Sequence, residues 1–431
     1  MEKLEINNFL TIRQAKVDVR RFTILIGPQA NGKSVIAKVL YFFRNFLSTH
    51  YTRSIENQET KIQLEKKGNV IFEQIFPRYT WLDQEFELIY TTDDIEIKMS
   101  RQNQTVKKNS IKIELSENLI ELHRRSKKYY RRKLEEEIKS SREGRLIRTH
   151  PTEAFFDTLF ECIYASKIGH NFENSVFIPA SRSFFANLQK NVFSFLANNI
   201  SIDPLIKEFG SVYESSKAGY DRRYLIRRHE EKELISLREE IKQEFERIIT
   251  GQYVYEDDQD WIVSGKRRIN LANASSGQQE VLPLLLVLSN WLNRASRQSR
   301  GTTFFIEEPE AHLFPVSQRR LIGIFSRFYT TFNCNFVLTT HSPYILTAFN
   351  NLILASNIAQ DGNKKNLSKV QKIIGQDQAI KFEDISAYTI QDGLLKSILD
   401  SENNLIGSSI IDSVSDEFDK VFDKLLELSL N

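Results

Sequence analysis

Hydrophobic residues follow two different spacings along this chain, and together they predict a fold of alternating strands and helices. Short, mostly apolar runs of the kind that form buried parallel strands precede polar segments at four places, Phe22–Ile26, Val176–Ile178, Thr302–Ile306 and Asn335–Thr340. After the first run, apolar residues recur at the three- and four-residue spacing of a helix. This pattern predicts an α/β protein with parallel strands in its central sheet.

Other segments alternate apolar and polar residues with a period of two, which is typical of antiparallel strands. Residues 4–6 and 17–19 have this spacing and are expected to form an antiparallel edge ahead of the first buried strand. Residues 86–99 show it again with a turn in the middle. Residues 234–249 have the apolar face of an amphipathic helix, and residues 253–263 are predicted to form a hairpin.

The loop between the first buried strand and its helix, residues 27–34, reads GPQANGKS. This is the Gly-x-x-x-x-Gly-Lys-Ser pattern, in which backbone N–H groups at a helix N-terminus surround a phosphate chain. The lysine of such a loop reaches the β- and γ-phosphate oxygens, and the serine hydroxyl binds magnesium. The sequence therefore predicts ATP and Mg²⁺ as cofactors, with candidate binding residues Gly27, Asn31, Gly32, Lys33 and Ser34.

Two carboxylates, Glu307 and Glu308, follow the buried run that ends at Ile306. Residues at the carboxyl ends of parallel strands face the bound nucleotide, so Glu307 is a candidate magnesium ligand. Glu308 is placed to orient and deprotonate the attacking water. The competing interpretation is a solvated acidic turn before a helix, because glutamate is favoured in first turns.

Two further segments complete the candidate site. His341 follows the last buried run and is expected to contact the γ-phosphate. Small and amide residues open an apolar helix that begins near residue 276, and such a helix N-terminus binds anions. These candidate phosphate contacts are Ser275, Ser276, Gly277 and Gln278, and the alternative for them is an ordinary helix cap.

In this order the motifs resemble those of ABC-type ATPases. The chain is similar to the AAA-type ATP-binding proteins related to the OLD nucleases, within the clan of chromosome-maintenance and DNA-repair ATPases. Residues 27–34 correspond to the Walker A motif, 274–278 to the signature motif, Glu307 and Glu308 to Walker B, and His341 to the switch histidine. The resemblance implies an ABC-type P-loop core, with a mixed sheet, flanking helices, an antiparallel amino lobe and helical insertions.

The chain departs from the family pattern at two positions. Ser276 replaces the first glycine of the signature, and Glu307 stands where many members carry aspartate. The resemblance also implies a head-to-tail dimer or a higher homo-oligomer, because one subunit's signature completes the ATP site of the other. The ninety residues after His341 carry none of the metal-binding motifs of the OLD nuclease domain, so we expect an ATPase that acts through a separate effector protein.

These observations predict four parts of the chain. The ATPase core is assigned to residues 1–46, 166–190 and 263–362. Antiparallel strands and a basic helical insertion occupy 47–165, a helical arm with the hairpin occupies 191–262, and a C-terminal α/β segment occupies 363–431.

Composition narrows the class of protein. The 431 residues are 41% hydrophobic and 27% charged, with a net charge of +3, which is typical of a globular protein with a solvated surface. No apolar signal or spanning segment is evident, so a cytoplasmic location without membrane contact is expected. Two distant cysteines and seven histidines without metal-ligand spacing make disulfides and zinc unexpected.

Positive charge is concentrated in residues 121–150, where candidate nucleic-acid or partner contacts lie. The alternative is a solvated helix with internal salt bridges. Arg182, after the strand that ends at Ile178, is a candidate contact to nucleotide or to a neighbouring subunit, with an ordinary surface arginine as its alternative. The candidates in the basic window are Arg124, Arg125, Lys127, Lys128, Arg131 and Arg132.

The functional hypotheses follow from the motifs. The first is an ATPase switch or sensor that controls a separate effector, such as a nuclease, in a bacterial anti-phage or toxin-like system. The alternative is a RecF-like DNA-repair clamp that binds duplex DNA. A small-molecule kinase and a protein that binds ATP without hydrolysing it fit the motifs less well.

Overall fold

The computed structural model describes residues 2–101, 111–142, 172–187, 202–220, 232–295, 301–360, 364–375, 378–407 and 422. The domain limits predicted after residues 165 and 190 lie outside these ranges. The described strands are β1 (Glu2–Phe9), β2 (Ile12–Val19), β3 (Phe22–Ile26), β4 (Phe86–Thr92), β5 (Ile95–Arg101), β6 (Lys112–Leu115), β7 (Asn174–Ile178), β8 (Gln252–Glu256), β9 (Gln259–Ser264), β10 (Arg267–Asn270), β11 (Thr302–Glu307), β12 (Asn335–Thr340), β13 (Ile385–Gln391), β14 (Leu394–Ser397), β15 (Leu399–Asp400) and β16 (Leu405–Ile406). The described α-helices are α1 (Lys33–Asn45), α2 (Thr52–Glu56), α3 (Lys61–Ile75), α4 (Glu117–Arg142), α5 (Pro204–Tyr220), α6 (Lys232–Ile249), α7 (Ser276–Arg294), α8 (Pro315–Phe332), α9 (Pro343–Gln360) and α10 (Lys364–Ile374).

Eleven of the described strands form one mixed sheet in the order β6-β5-β4-β1-β2-β14-β13-β3-β12-β11-β7. The strands β13, β3, β12, β11 and β7 are parallel to their neighbours within this half. The strands β6, β5, β4, β1 and β2 are antiparallel. The predicted α/β architecture with a mixed sheet and an antiparallel amino lobe is confirmed, but β1 and β2 lie inside the sheet and not at its edge.

Alternating side chains of the parallel strands pack into two hydrophobic cores, one on each face of the sheet. On β11, Phe304 and Ile306 join the core that includes the apolar faces of α7, α8 and α9. Phe305, between them, points to the opposite core, which includes the apolar face of α1. Burial on both faces explains why these strands are apolar at consecutive positions.

The main sheet crosses the predicted domain limits. The strand β13 comes from the predicted C-terminal α/β segment, 363–431, and pairs with β3 in the middle of the sheet. The strands β4, β5 and β6 extend the sheet from the segment 47–165.

None of the described helices combines the length and the apolar character that a membrane span requires.

The predicted hairpin is present as β8 and β9, and a buried ion pair holds it against α5. Lys217 Nζ lies 3.1 Å from Asp260 Oδ2, and both side chains are almost fully buried. The hydroxyls of Tyr213 and Tyr253 donate hydrogen bonds to the same carboxylate, at 3.1 and 2.5 Å. Burial raises the pKa of the Tyr253 phenol, and its bond to Asp260 acts in the same direction, so the phenol remains a donor.

Replacing the buried carboxylate tests this anchor. Asp260→Ala removes the buried counter-charge of Lys217, which keeps only the exposed carboxylate of Glu214 at 2.8 Å, and it removes the acceptor of two tyrosine hydroxyls. We therefore expect a loss of about 3–5 kcal/mol of unfolding free energy. The matched control, Glu5→Ala, breaks the exposed pair with Lys16 and is expected to cost less than about 1 kcal/mol. Urea-induced unfolding measures the unfolding free energy of both variants. Equal losses in the two would contradict the role of the buried ion pair as an anchor.

Candidate functional site

The phosphate-binding loop follows β3 and ends at the N-terminus of α1. Gly32 is the N-cap residue with φ of 93°, a left-handed conformation, and a Cβ there would overlap the side chain of Ile12. Gly27 also has a positive φ, at 148°. Both positions therefore require glycine. Asn31 donates a side-chain hydrogen bond to the carbonyl of Ile390 at 3.2 Å, which ties the loop to β13.

Lys33 projects its amine into this loop. The amine donates to the carbonyl oxygens of Gly27 at 2.7 Å and Pro28 at 2.6 Å. Burial lowers the pKa of the Lys33 amine, whereas the carboxylates of Glu308 and Glu310 act in the opposite direction. Ser34 is exposed in the first turn of α1, where its hydroxyl is accessible to a ligand.

Glu307 and Glu308 leave the end of β11 beside the last residues of β12. Glu307 is paired in register with Thr339, and its side chain is buried. Its Oε2 accepts a hydrogen bond from the backbone N–H of Ala180 at 3.3 Å. Glu308 has a left-handed φ of 45°, and its backbone N–H donates to the carbonyl of Thr339 at 2.9 Å. This turn directs the Glu308 side chain toward His341.

His341 lies between the lysine of the loop and Glu308. Its Nε2 is 3.2 Å from Glu308 Oε1, and its Nδ1 is 3.4 Å from Lys33 Nζ. Because an ammonium only donates, Nδ1 is the accepting nitrogen, and a neutral imidazole then carries its hydrogen on Nε2 and donates it to Glu308. The structure thus brings together three predicted site residues from three separate segments.

A third carboxylate, Glu310, belongs to this cluster and was not assigned a role from the sequence. Its Oε1 accepts from the Thr340 hydroxyl and from the backbone N–H of His341, both at 2.7 Å. These bonds fix the backbone from which the His341 ring projects. The available signal was its position two residues after Glu308, but spacing alone does not reveal its partner.

The donor set is compatible with Mg²⁺. Glu307 Oε1 is buried and has no hydrogen-bond partner, so one carboxylate oxygen is left for a ligand. Carboxylate and hydroxyl oxygens are the ligands that Mg²⁺ prefers, which fits Glu307 together with Ser34.

The signature residues form the N-terminus of α7. Ser275 is its N-cap and makes a capping box with Gln278, as the helix-cap alternative expects. The Gln278 amide also donates to the carbonyl of Ile249 at 2.7 Å, whereas Ser275 and Ser276 are exposed. Gly277 packs on the carbonyl of His312, since a Cβ there would lie 2.7 Å from that oxygen. Capping leaves the exposed serines accessible to a second molecule.

Arg182 is not a surface contact. Its side chain has no exposed area, and its guanidinium donates to the carbonyls of Glu280, Glu307 and Glu308 at 2.7–2.9 Å. Because the Arg182 side chain has no exposed area, it has no surface for nucleotide or for a neighbouring subunit in this arrangement, and the alternative of a surface arginine is wrong. The carbonyl-rich pocket satisfies a planar group with several donors, which explains its burial.

The basic residues of α4 divide into two sets. Arg125 pairs with Glu121, and Arg132 lies near Glu136, as expected for internal salt bridges. Four other cations, those that line a cleft with Lys61, lie on the face next to the start of α3. Lys127 donates to the carbonyl of Glu59, and Arg131 donates to the side chain of Gln58. With Lys61, that face lines a shallow cleft through Arg124, Lys127, Lys128 and Arg131.

Comparison with protein families agrees with the motifs. The family model described as an AAA ATPase domain matches residues 1–346, which includes all of the site segments above. A search of curated proteins finds no significant match.

Solved structures with a partial likeness are heads of SMC proteins. One, an Smc head bound to the C-winged helix domain of ScpA, is 12% identical, with coverage of 92% of this chain and 96% of the other and a TM-score of 0.41. A second, with an extended coiled coil and bound to the C-terminal domain of ScpA derived from Pyrococcus furiosus, is 14% identical, with coverage of 96% and 100% and a TM-score of 0.38. A third, from Thermotoga maritima, is 11% identical, with coverage of 92% and 97% and a TM-score of 0.35. At scores this low, these likenesses carry no argument about what this chain does.

Glu308→Gln tests the proposed base. An amide of the same shape cannot accept a proton, so ATP turnover should fall by about 10²- to 10⁴-fold while ATP binding persists. Phosphate release measures turnover, and fluorescence of a labelled ATP analogue measures binding. Glu402→Gln, at an exposed turn, is the control. Unchanged turnover in Glu308→Gln would place the base elsewhere.

Proposed function

Because this chain belongs to the AAA ATPase domain family, we propose that it hydrolyses ATP to ADP and phosphate and uses the nucleotide state as a switch. The observation that carries the proposal is the contact series from Lys33 through His341 to Glu308. It joins a phosphate-binding amine, a polar group for the γ-phosphate and a carboxylate base, the groups that phosphoryl transfer to water requires.

Each residue has a defined part in this proposal. The loop N–H groups and Lys33 hold the phosphate chain of ATP, and Glu308 accepts the proton of the attacking water. His341 orients the Glu308 carboxylate through Nε2. Ser34 and Glu307 would hold Mg²⁺, which when bound neutralises charge on the phosphate oxygens.

We further propose that two copies associate head-to-tail, or within a higher homo-oligomer, so that Ser275–Gln278 of one subunit faces the ATP of the other. The exposure of Ser275 and Ser276 at a helix N-terminus supports this, because the helix dipole favours an anion there and the exposed Ser276 hydroxyl can donate to it. A site that is complete only in the assembly makes hydrolysis dependent on association.

The output of the switch is proposed to be a separate effector protein, such as a nuclease, in a bacterial anti-phage or toxin-like system. Its basis is the sequence resemblance to ATPases related to the OLD nucleases, which is an analogy at the level of the fold. Nucleotide-dependent copurification with the product of a neighbouring gene is the direct test.

A RecF-like clamp on duplex DNA is the second candidate function. It is favoured by the basic face of α4, where Arg124 and Lys128 are exposed beside Lys127, Arg131 and Lys61. Lysine and arginine on one face bind the phosphate backbone without sequence preference.

Turnover with and without linear duplex DNA distinguishes the two outputs. A clamp should hydrolyse ATP faster with DNA at low salt. Binding to DNA releases condensed counterions, and this release becomes less favourable as the salt concentration rises, so the stimulation should fall steeply with salt. The double variant Arg124→Glu, Lys128→Glu should abolish that stimulation and leave basal turnover intact. A turnover rate that DNA does not change, at low salt and at high salt alike, would exclude the clamp and favour a protein trigger.

Mixing subunits tests the head-to-tail arrangement. Wild-type subunits in excess Glu308→Gln subunits should retain turnover, because their partners supply ATP and an intact signature. In excess of the double variant Glu308→Gln, Ser276→Glu, turnover per wild-type subunit should fall about 10-fold or more, since a carboxylate then faces the triphosphate. Glutamate is favourable in a first helical turn, so the fold should tolerate it. Equal turnover in the two mixtures would contradict the arrangement.

A further inference from the structure

Arg182 joins two parts of the site that serve different ATP molecules in the proposed assembly. Its Nε donates to the carbonyl oxygen of Glu280 at 2.8 Å. Its Nη1 donates to the carbonyl of Glu307 at 2.7 Å, and its Nη2 donates to the carbonyl of Glu308 at 2.9 Å. One rigid planar group therefore holds the backbone of α7 and the backbone of both Walker B residues.

The α7 side of this contact lies close to the signature. Glu280 is four residues after Ser276, the first residue of α7, and is therefore one helical turn from it. The Glu280 carboxylate also accepts from the backbone N–H of Arg182 at 2.8 Å. The start of α7 is thus fixed to the segment 179–182 by both its main chain and its side chain.

A second contact joins the same two elements. Gly277 lies against the carbonyl of His312, in the turn that follows the Walker B residues, with no room for a Cβ. His312 has a left-handed φ of 58°. The N-terminus of α7 is therefore joined to the segment 307–312 at two points, directly at His312 and through Arg182 at the carbonyls of Glu307 and Glu308.

Arg182 contacts the main chain of the two Walker B residues and not their side chains. Arg182 binds the carbonyl oxygens of Glu307 and Glu308 and leaves their carboxylates to other partners. It sets where these two residues lie without occupying the groups that do the chemistry. Burial lowers the pKa of the guanidinium, and four nearby carboxylates, Glu280 first, act in the opposite direction.

We propose that Arg182 is a positioning residue that couples a subunit's own signature to its own catalytic carboxylates. When the N-terminus of α7 engages the ATP of the neighbouring subunit, the carbonyl of Glu280 moves with the helix, and Arg182 carries that displacement to Glu307 and Glu308. Each subunit then hydrolyses its ATP fastest when its signature is also engaged. This inference rests on the head-to-tail assembly proposed above.

Mixed assemblies separate this effect from the contribution of the partner's signature. A test subunit at low concentration is mixed with excess Glu308→Gln subunits, which bind ATP and present an intact signature but do not turn over. All hydrolysis then comes from the test subunit. In that subunit Ser276→Glu disables only its own signature, while its catalytic site still faces an intact one.

The proposal predicts that the effects of Ser276→Glu and Arg182→Lys on kcat are not additive. In an otherwise wild-type test subunit, Ser276→Glu should lower kcat by a factor within the 5- to 150-fold range that is typical of coupling between sites. Arg182→Lys keeps the charge but loses the planar fork, and it should lower kcat with little change in KM. In the Arg182→Lys background, Ser276→Glu should have no further effect. Ser276→Ala, which adds no charge, is the control.

Other outcomes are equally decisive. The same fold-loss from Ser276→Glu in both backgrounds, or no loss in either, would overturn the coupling and leave Arg182 with a structural role only. If the unmutated test subunit itself fails to turn over in excess Glu308→Gln subunits, the assembly fails, and the coupling fails with it. ATP binding and melting temperature report folding of each variant.

Glu280→Ala provides a second variant if Arg182→Lys does not fold. It retains the backbone carbonyl but removes the carboxylate that accepts from the backbone N–H of Arg182, so one of the two bonds between α7 and Arg182 is lost. The effect of Ser276→Glu should then be reduced but measurable. An unchanged effect in this variant, together with an unstable Arg182→Lys, would count against coupling through this contact.

Discussion

Parallel pairing of β3, β12 and β11 is the constraint on which the site depends. The register pairs Ile26 with Thr340 and Thr339 with Glu307, so the segments that follow the three strands leave the sheet at the same level. Lys33 and His341, which are 308 residues apart in sequence, meet for this reason. Any slip of one strand against its neighbour would separate the amine, the imidazole and the carboxylate, because each projects from a short turn at a strand end.

Two buried cations with different tasks lie among the carboxylates at this edge. Four carboxylates, those of Glu280, Glu307, Glu308 and Glu310, act on the fully buried Arg182. Arg182 bonds to backbone carbonyls, whereas Lys33 lies in the phosphate loop where ATP binds. The fixed cation stabilises the arrangement of the carboxylates, and the loop cation is the one available to the nucleotide. A lysine at position 182 would lack the geometry to hold several carbonyls at once.

The two halves of the sheet support different surfaces. The parallel half carries the site and the helix α7, while the antiparallel half carries α4 and its basic face through contacts with α2 and β5. One continuous sheet therefore joins the segment that carries the basic face to the edge that carries the nucleotide site. In the functions proposed above, this continuity is the physical route between the nucleotide and the output.

The sequence by itself determined the features that are local. The phosphate loop, the acidic end of β11 and the cap at Ser275 each lie within about ten residues, and their spacing and backbone preferences identify them. The alternation of apolar and polar residues likewise identified the antiparallel strands. Tertiary structure decided what depends on distant partners. It placed β13 beside β3, it buried Arg182, and it gave Glu310 its role in fixing His341. Sheet neighbours and buried contacts join residues hundreds of positions apart, and an arginine at the end of a strand has the same local pattern whether it faces solvent or a set of carbonyls.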